Sequence, residues 1–114
     1  METKQFTKFE ELKINEDFDA EIIRWRKVLL KNLVQLGVKI SENDFEKRTI
    51  VIKTNGEQHV NRLTVQWISR TTLDYFVEIF SASDDSWNIA QNQRSITTNT
   101  WNEKFIGITE LLNS

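Results

Sequence analysis

Residues 46–81 read EKRTIVIKTNGEQHVNRLTVQWISRTTLDYFVEIFS, and the way side chains alternate along this run sets the fold class. Residues 48–54 are β-branched and alternating, residues 60–69 carry Leu63, Val65 and Trp67 on one side, and residues 72–80 carry Leu73, Tyr75, Val77 and Ile79 on one side. A period of two over such lengths is that of a strand with one buried face. Asn55-Gly56 between the first two runs is a strong hairpin signal, because both residues tolerate positive φ. Strands joined in succession this way form an antiparallel meander, and the Leu63/Tyr75 side is its core face.

The other face is less ordinary. Arg62, Thr64, Gln66 and Ile68 point there from the second run, and Asp74, Phe76, Glu78 and Phe80 from the third. A solvent face is normally polar at such alternate positions, so two phenylalanines call for cover by another element or by a partner.

Upstream, residues 22–36 place Ile22, Trp25, Leu29, Leu33 and Leu36 along one line of a helix, widened by Ile23, Leu30 and Val34; this is the 3.6-residue period of an amphipathic helix. Glu16, Asp17, Asp19 and Glu21 crowd its first turns, where negative charge complements the helix dipole. Gly37 supplies a left-handed stop. Arg24, Lys27 and Lys31 form a basic stripe on the opposite side, while Arg26 falls inside the apolar arc and must snorkel or meet a carboxylate. Nearer the N-terminus, Thr7 and Glu10 have capping-box spacing, with Phe6, Phe9 and Leu12 on one face, which reads as a short lid segment within residues 1–15.

Downstream, residues 81–95 read as a polar loop leading to a short fourth strand around Trp87. Residues 101–112 form a second amphipathic helix, opened by Thr100 with Glu103 and lined by Trp101, Phe105, Ile108 and Leu112. The expected fold is therefore α+β: a three- or four-stranded antiparallel sheet in the order α-β-β-β-(β)-α, with the first helix on one face and the last covering part of the other. Leu12, Ile22, Trp25, Leu29, Leu33, Leu63, Val65, Trp67, Tyr75, Val77 and Ile79 supply most of the expected core.

Composition removes whole classes of function. The 114 residues suit one domain with one core. With 15 Lys and Arg against 17 Asp and Glu, no net field draws the chain to nucleic acid or anionic lipid. The absence of cysteine rules out disulfides, thiolate nucleophiles and Cys-based metal sites. The single histidine, His59, rules out any site that needs two imidazoles. Without a basic start leading into an apolar run, or a long apolar span, the expected location is cytoplasmic. No cofactor is expected.

Three kinds of site remain to be weighed. His59 is the natural candidate for a general base, yet it lies just past the hairpin turn beside Glu57 and Gln58, with no established catalytic partner. Asp84 and Asp85 in a serine-rich loop offer oxygen ligands to a hard cation, but lack the spacing and closing glutamate of a calcium loop. A helix, three antiparallel strands and a second helix is similar in order to double-stranded-RNA-binding domains. Those domains open their last helix with several lysines, whereas residues 100–104 read Thr-Trp-Asn-Glu-Lys, so the likeness stops at element order. Phosphate contact would fall to Arg24, Lys27, Lys31 and Arg48.

A protein surface fits the residues better. Arg62, Gln66, Phe76, Glu78 and Phe80, with Asp84, Asp85 and Trp87 beside them, combine aromatic and arginine anchors with polar neighbours, the composition of interfaces. The expected function is non-enzymatic binding of a protein partner, of the inhibitor or immunity-protein type. Nucleic-acid binding and a small-molecule site or enzyme at His59 are the alternatives, and a sheet edge offers a route to a homodimer.

Overall fold

Asp17 opens the first helix. Its carboxylate accepts the Ala20 backbone N–H at 2.8 Å, satisfying one of the donors that a helix start leaves unpaired, and α1 (Phe18–Gln35) follows. At the far end Gly37 sits at φ +88°, a conformation glycine adopts without steric cost. The Val38 N–H reaches back to the Leu33 carbonyl (2.9 Å) and the Gly37 N–H to that of Val34 (3.0 Å). Val38 and Leu33 are both buried, so the helix ends in a Schellman turn.

The computed structural model describes Thr7 and residues 17–114. The lid expected over residues 1–15, with Leu12 of the expected core, lies outside the described residues except for Thr7. The backbone N–H and C=O of Thr7 each bond to the side-chain amide of buried Asn32 at 3.0 Å.

Five strands follow α1: β1 (Ile40–Glu46), β2 (Thr49–Asn55), β3 (Val60–Trp67), β4 (Thr72–Ser81) and β5 (Ser86–Thr97), then α2 (Thr98–Leu112). They form one antiparallel sheet in sequence order, so the α+β meander stands with five strands where three or four were expected. β1 escapes the alternation test because residues 41–44 are all exposed, as an edge strand permits. The expected loop and short fourth strand are a 12-residue β5. Register shifts opposite Tyr75/Val77 and Val77/Glu78 break its period, and only residues 82–85 turn the chain.

The hairpin signals also resolve differently. Asn55 pairs with Val60, so residues 56–59 make a four-residue loop. The tight two-residue turn is instead Lys47-Arg48, at φ 48° and 67°. Gly56 serves close approach: a Cβ there would stand 2.6 Å from the Ser114 backbone carbon. Its loop caps the end of α2, with the Glu57 N–H on the Asn113 carbonyl (3.0 Å) and the Gln58 N–H on the Ser114 oxygen (2.8 Å). At the start of α2 the cap is Thr97, whose hydroxyl accepts the Thr100 N–H at 3.3 Å. The helix therefore begins earlier than the expected Thr100 box.

Both helices pack on the same face of the sheet, which overturns the expected placement of the last one. Ile50, Ile52, Leu63, Val65, Trp67, Leu73, Tyr75 and Val77 form the buried side. Trp25 of α1 meets Trp67 edge-on at 4.6 Å, and Trp101 of α2 lies 5.6 Å from Trp25 and 5.4 Å from Tyr75. Strand spacing gives the reason. Three strands span only about 10 Å, whereas five at about 4.8 Å apart span about 19 Å, room for two helices packed about 10 Å from each other. Ile79, expected in the core, is half-buried. Among the described residues Arg26 finds no carboxylate; its guanidinium donates to the Asn43 amide oxygen at 2.5 Å and sits 5.5 Å from the Phe45 ring centroid.

Candidate functional site

The face opposite the helices is built by register. Residues paired across neighbouring strands share a face, so the pairs Glu42↔Lys53, Lys53↔Arg62, Arg62↔Glu78 and Glu78↔Ile89 run as one row across all five strands. Thr64↔Phe76, Gln66↔Asp74 and Phe80↔Trp87 lie in rows beside it. Among the described residues neither helix covers this surface, so Arg62, Gln66, Phe76, Glu78, Phe80 and Trp87 are brought together on one face, Gln66 exposed and the others half-buried.

At one end of the row the side chains lock together. The Arg62 Nε donates to Glu78 Oε1 at 2.8 Å, and its guanidinium carbon lies 4.1 Å from the Trp87 ring centroid. Phe80 meets Trp87 edge-on at 5.3 Å. Arg62 and Glu78 retain 25% and 13% of their side-chain exposure, so the pair is partly desolvated and its charge-assisted bond exceeds that of a fully exposed pair. Ile89 beside them is 57% exposed. The arrangement is a preorganised arginine between an aromatic plate and a carboxylate, with apolar surface next to it.

Charge across the face is lopsided. Glu42, Asp44, Glu46, Asp74 and Glu78 are five carboxylates against two cations, Lys53 and Arg62. Each cation already has an acidic partner, Lys53 with Glu42 at 3.2 Å and Arg62 with Glu78. Asp74 instead accepts from Ser95 Oγ (2.5 Å) and Gln93 Nε2 (3.1 Å). A depression of about 670 Å³, open to solvent, lies at the β1 end of the face among Asp44, Phe45, Glu46, Lys47, Thr49, Val51 and Gln66. The acidic β1 stripe was absent from the sequence reading, although acids at positions 42, 44 and 46 carry the period-two signal that would have placed them on one face.

The other candidates lie elsewhere. Asp84 and Asp85 sit in the exposed β4–β5 turn next to Trp87. Asp84 accepts the Ser81 hydroxyl at 3.4 Å, and Asp85 adopts φ 51°. Among the described residues no group of three or more His, Asp or Glu side chains is arranged to hold a metal. His59 is exposed in the β2–β3 loop, bonded through its backbone to Ser114, and no hydrogen bond places its imidazole against a described residue. Arg24, Lys27 and Lys31 are exposed on α1. Arg48 is engaged with Asp19 at 3.1 Å and lies over the Phe18 ring at 4.4 Å.

No protein-family model, curated protein or solved structure matches the chain. Five strands also remove the likeness in element order to double-stranded-RNA-binding domains. No helix among the described residues is long and apolar enough to cross a membrane.

Proposed function

We propose that the chain is a non-enzymatic protein-binding module whose open sheet face docks a partner with a basic, partly apolar surface. The observation that carries this reading is the Arg62–Glu78–Trp87–Phe80 cluster, at 2.8 Å, 4.1 Å and 5.3 Å, on a face that neither helix covers. Tryptophan and arginine, fixed before binding, are the side chains that dominate interface energies, because little rotamer entropy remains to be lost. Five carboxylates against two paired cations favour a basic partner and repel a phosphate backbone. Inhibition by occlusion of a target is a role that such a surface performs without chemistry of its own.

Nucleic-acid binding on α1 rests on Arg24, Lys27 and Lys31 alone once Arg48 is paired with Asp19. Three exposed cations on a helix make a weak phosphate site, and its affinity would fall steeply with salt.

A photo-crosslinking residue placed at Ile89 and, separately, at exposed Val34 on α1 tests the proposal in the native host. The expected result is capture of one partner from position 89 and not from position 34. The purified partner then loses about 2 kcal/mol or more of binding on Trp87→Ala, with the fold retained. Equal capture from both positions, or affinity unchanged by Trp87→Ala and Glu78→Lys, would remove the open face from consideration.

A further inference from the structure

The two edges of the sheet are not equivalent. β1 carries Glu42, Asp44 and Glu46 at alternate positions and a register shift between Ile40 and Glu42, and charge and bulging both keep a foreign strand from adding to an edge. β5, the opposite edge, has a single charged side chain, Arg94, among its 12 residues, and no proline. Its register shifts fall mid-strand, leaving residues 94–97 regularly paired with β4 and, among the described residues, their outer side without a sixth strand.

Beside that stretch runs α2, which follows β5 without a linker. Between them lies a groove of about 250 Å³ lined by Gln91, Arg94, Lys104, Gly107, Ile108 and Leu111. Its apolar lining comes from half-buried Leu111, with Ile108, 5% exposed, beneath it, and its charge from Arg94 and Lys104. Neither cation forms an ion pair with a described residue. At Gly107 nothing stands within 4 Å of where a Cβ would be, so the groove is open there.

We propose that this groove takes an extended acidic peptide segment as a sixth strand, its backbone pairing with β5 and a carboxylate lying between Arg94 and Lys104. Strand addition draws affinity from main-chain hydrogen bonds and specificity from alternate side chains. Positions i and i+2 of the added strand face α2, so the fitting motif is an acidic residue two positions from an apolar one, the first on the cations and the second on Leu111. The site is opposite in charge to the open face and stands on separate observations, so it holds whether or not that face binds a basic partner.

The probe is an end-capped peptide with glutamate and valine two positions apart in a threonine background. It is titrated against the isotopically labelled full chain by NMR, with a twin carrying lysine for glutamate as control. The expected result is saturable amide shifts confined to residues 91–97 and 104–111. Arg94→Glu with Lys104→Glu weakens the glutamate peptide about tenfold and makes the lysine peptide the better ligand. Gly107→Leu places a side chain at the groove, its Cβ meeting no atom within 4 Å, while removing a helix glycine, so it abolishes the shifts and raises the melting temperature, which separates blocking from unfolding. The proposal is overturned by the absence of saturable shifts up to about 1 mM, by equal shifts from both peptides, or by shifts around Trp87 and Ile89 instead. A doubled mass before any peptide is added, with the β5 amides protected, assigns the edge to a second copy and overturns it too. An oligonucleotide that displaces the peptide from the same amides assigns the cations to phosphate, with the same consequence.

Discussion

Lys47 and Arg48 hold the two central positions of the β1–β2 turn at φ 48° and 67°, a conformation that costs a residue with a Cβ about 1–2 kcal/mol. Arg48 offsets that strain: its carbonyl accepts the Trp67 N–H at 2.9 Å, and its guanidinium engages Asp19 and the Phe18 ring. Lys47 is exposed and has no such contact among the described residues. Lys47→Asn is therefore expected to stabilise the fold by about 0.5–1 kcal/mol, read as a higher denaturant midpoint at unchanged slope; a lower midpoint would mean that Lys47 makes a contact the fold needs. Tyr75 gives a pH-dependent counterpart. Burial raises its phenol above the usual 10.0, and the nearby Arg94 opposes this to a lesser degree. Between those two values the folded chain holds a proton the unfolded chain has released, so stability is intact below pH 10.0 and is lost as pH climbs toward the folded value. Tyr75→Phe removes this source of alkaline loss. The urea midpoint of the parent should fall relative to that of the variant as pH rises from about 8 to about 11, and a gap independent of pH would show that Tyr75 does not titrate with unfolding.

Elements were legible in proportion to how much of one face they bury. α1, β2, β3 and β4 each bury a periodic set, Ile22/Trp25/Leu29/Leu33 on the helix and alternate residues on the strands, and their periods stand out in the sequence. β1 and β5 are edges and bury few side chains. Selection for alternation is weak there, and the bulges in β5 disrupt what remains. Asn55-Gly56 misled because the loop answers to a tertiary demand, the closing of α2 by backbone donors from Glu57 and Gln58, rather than to local turn preference. The consequence reached the site. Counting too few strands left room for only one helix per face and put α2 over Phe76 and Phe80. The aromatic residues of the candidate face were read correctly from the strand period, but their exposure depended on the two strands that carry the weakest pattern.

At the scale of the whole molecule, the four tryptophans report which side of the sheet is covered. Trp25, Trp67 and Trp101 are 4%, 4% and 0% exposed and form the aromatic cluster that joins both helices to the sheet. Trp87 alone lies on the other face, half-buried against Arg62 and Phe80. A neutral quencher such as acrylamide should therefore reach one emitting population, and Trp87→Phe should remove most of the quenchable fluorescence while Trp67→Phe leaves it. Charge sharpens the test. Glu78 is paired with Arg62, whereas Asp84 and Asp85 in the adjoining turn and Asp74 farther along the face have no cationic partner among the described residues, so the field at Trp87 favours cations. Caesium is expected to quench Trp87 more efficiently than iodide at low ionic strength. The difference should close as added salt shortens the screening length from about 30 Å toward about 10 Å. Iodide quenching as well as caesium in dilute buffer would show that the open face lacks the acidic character on which a basic partner depends, and insensitivity of Trp87 to every quencher would show that the face is covered.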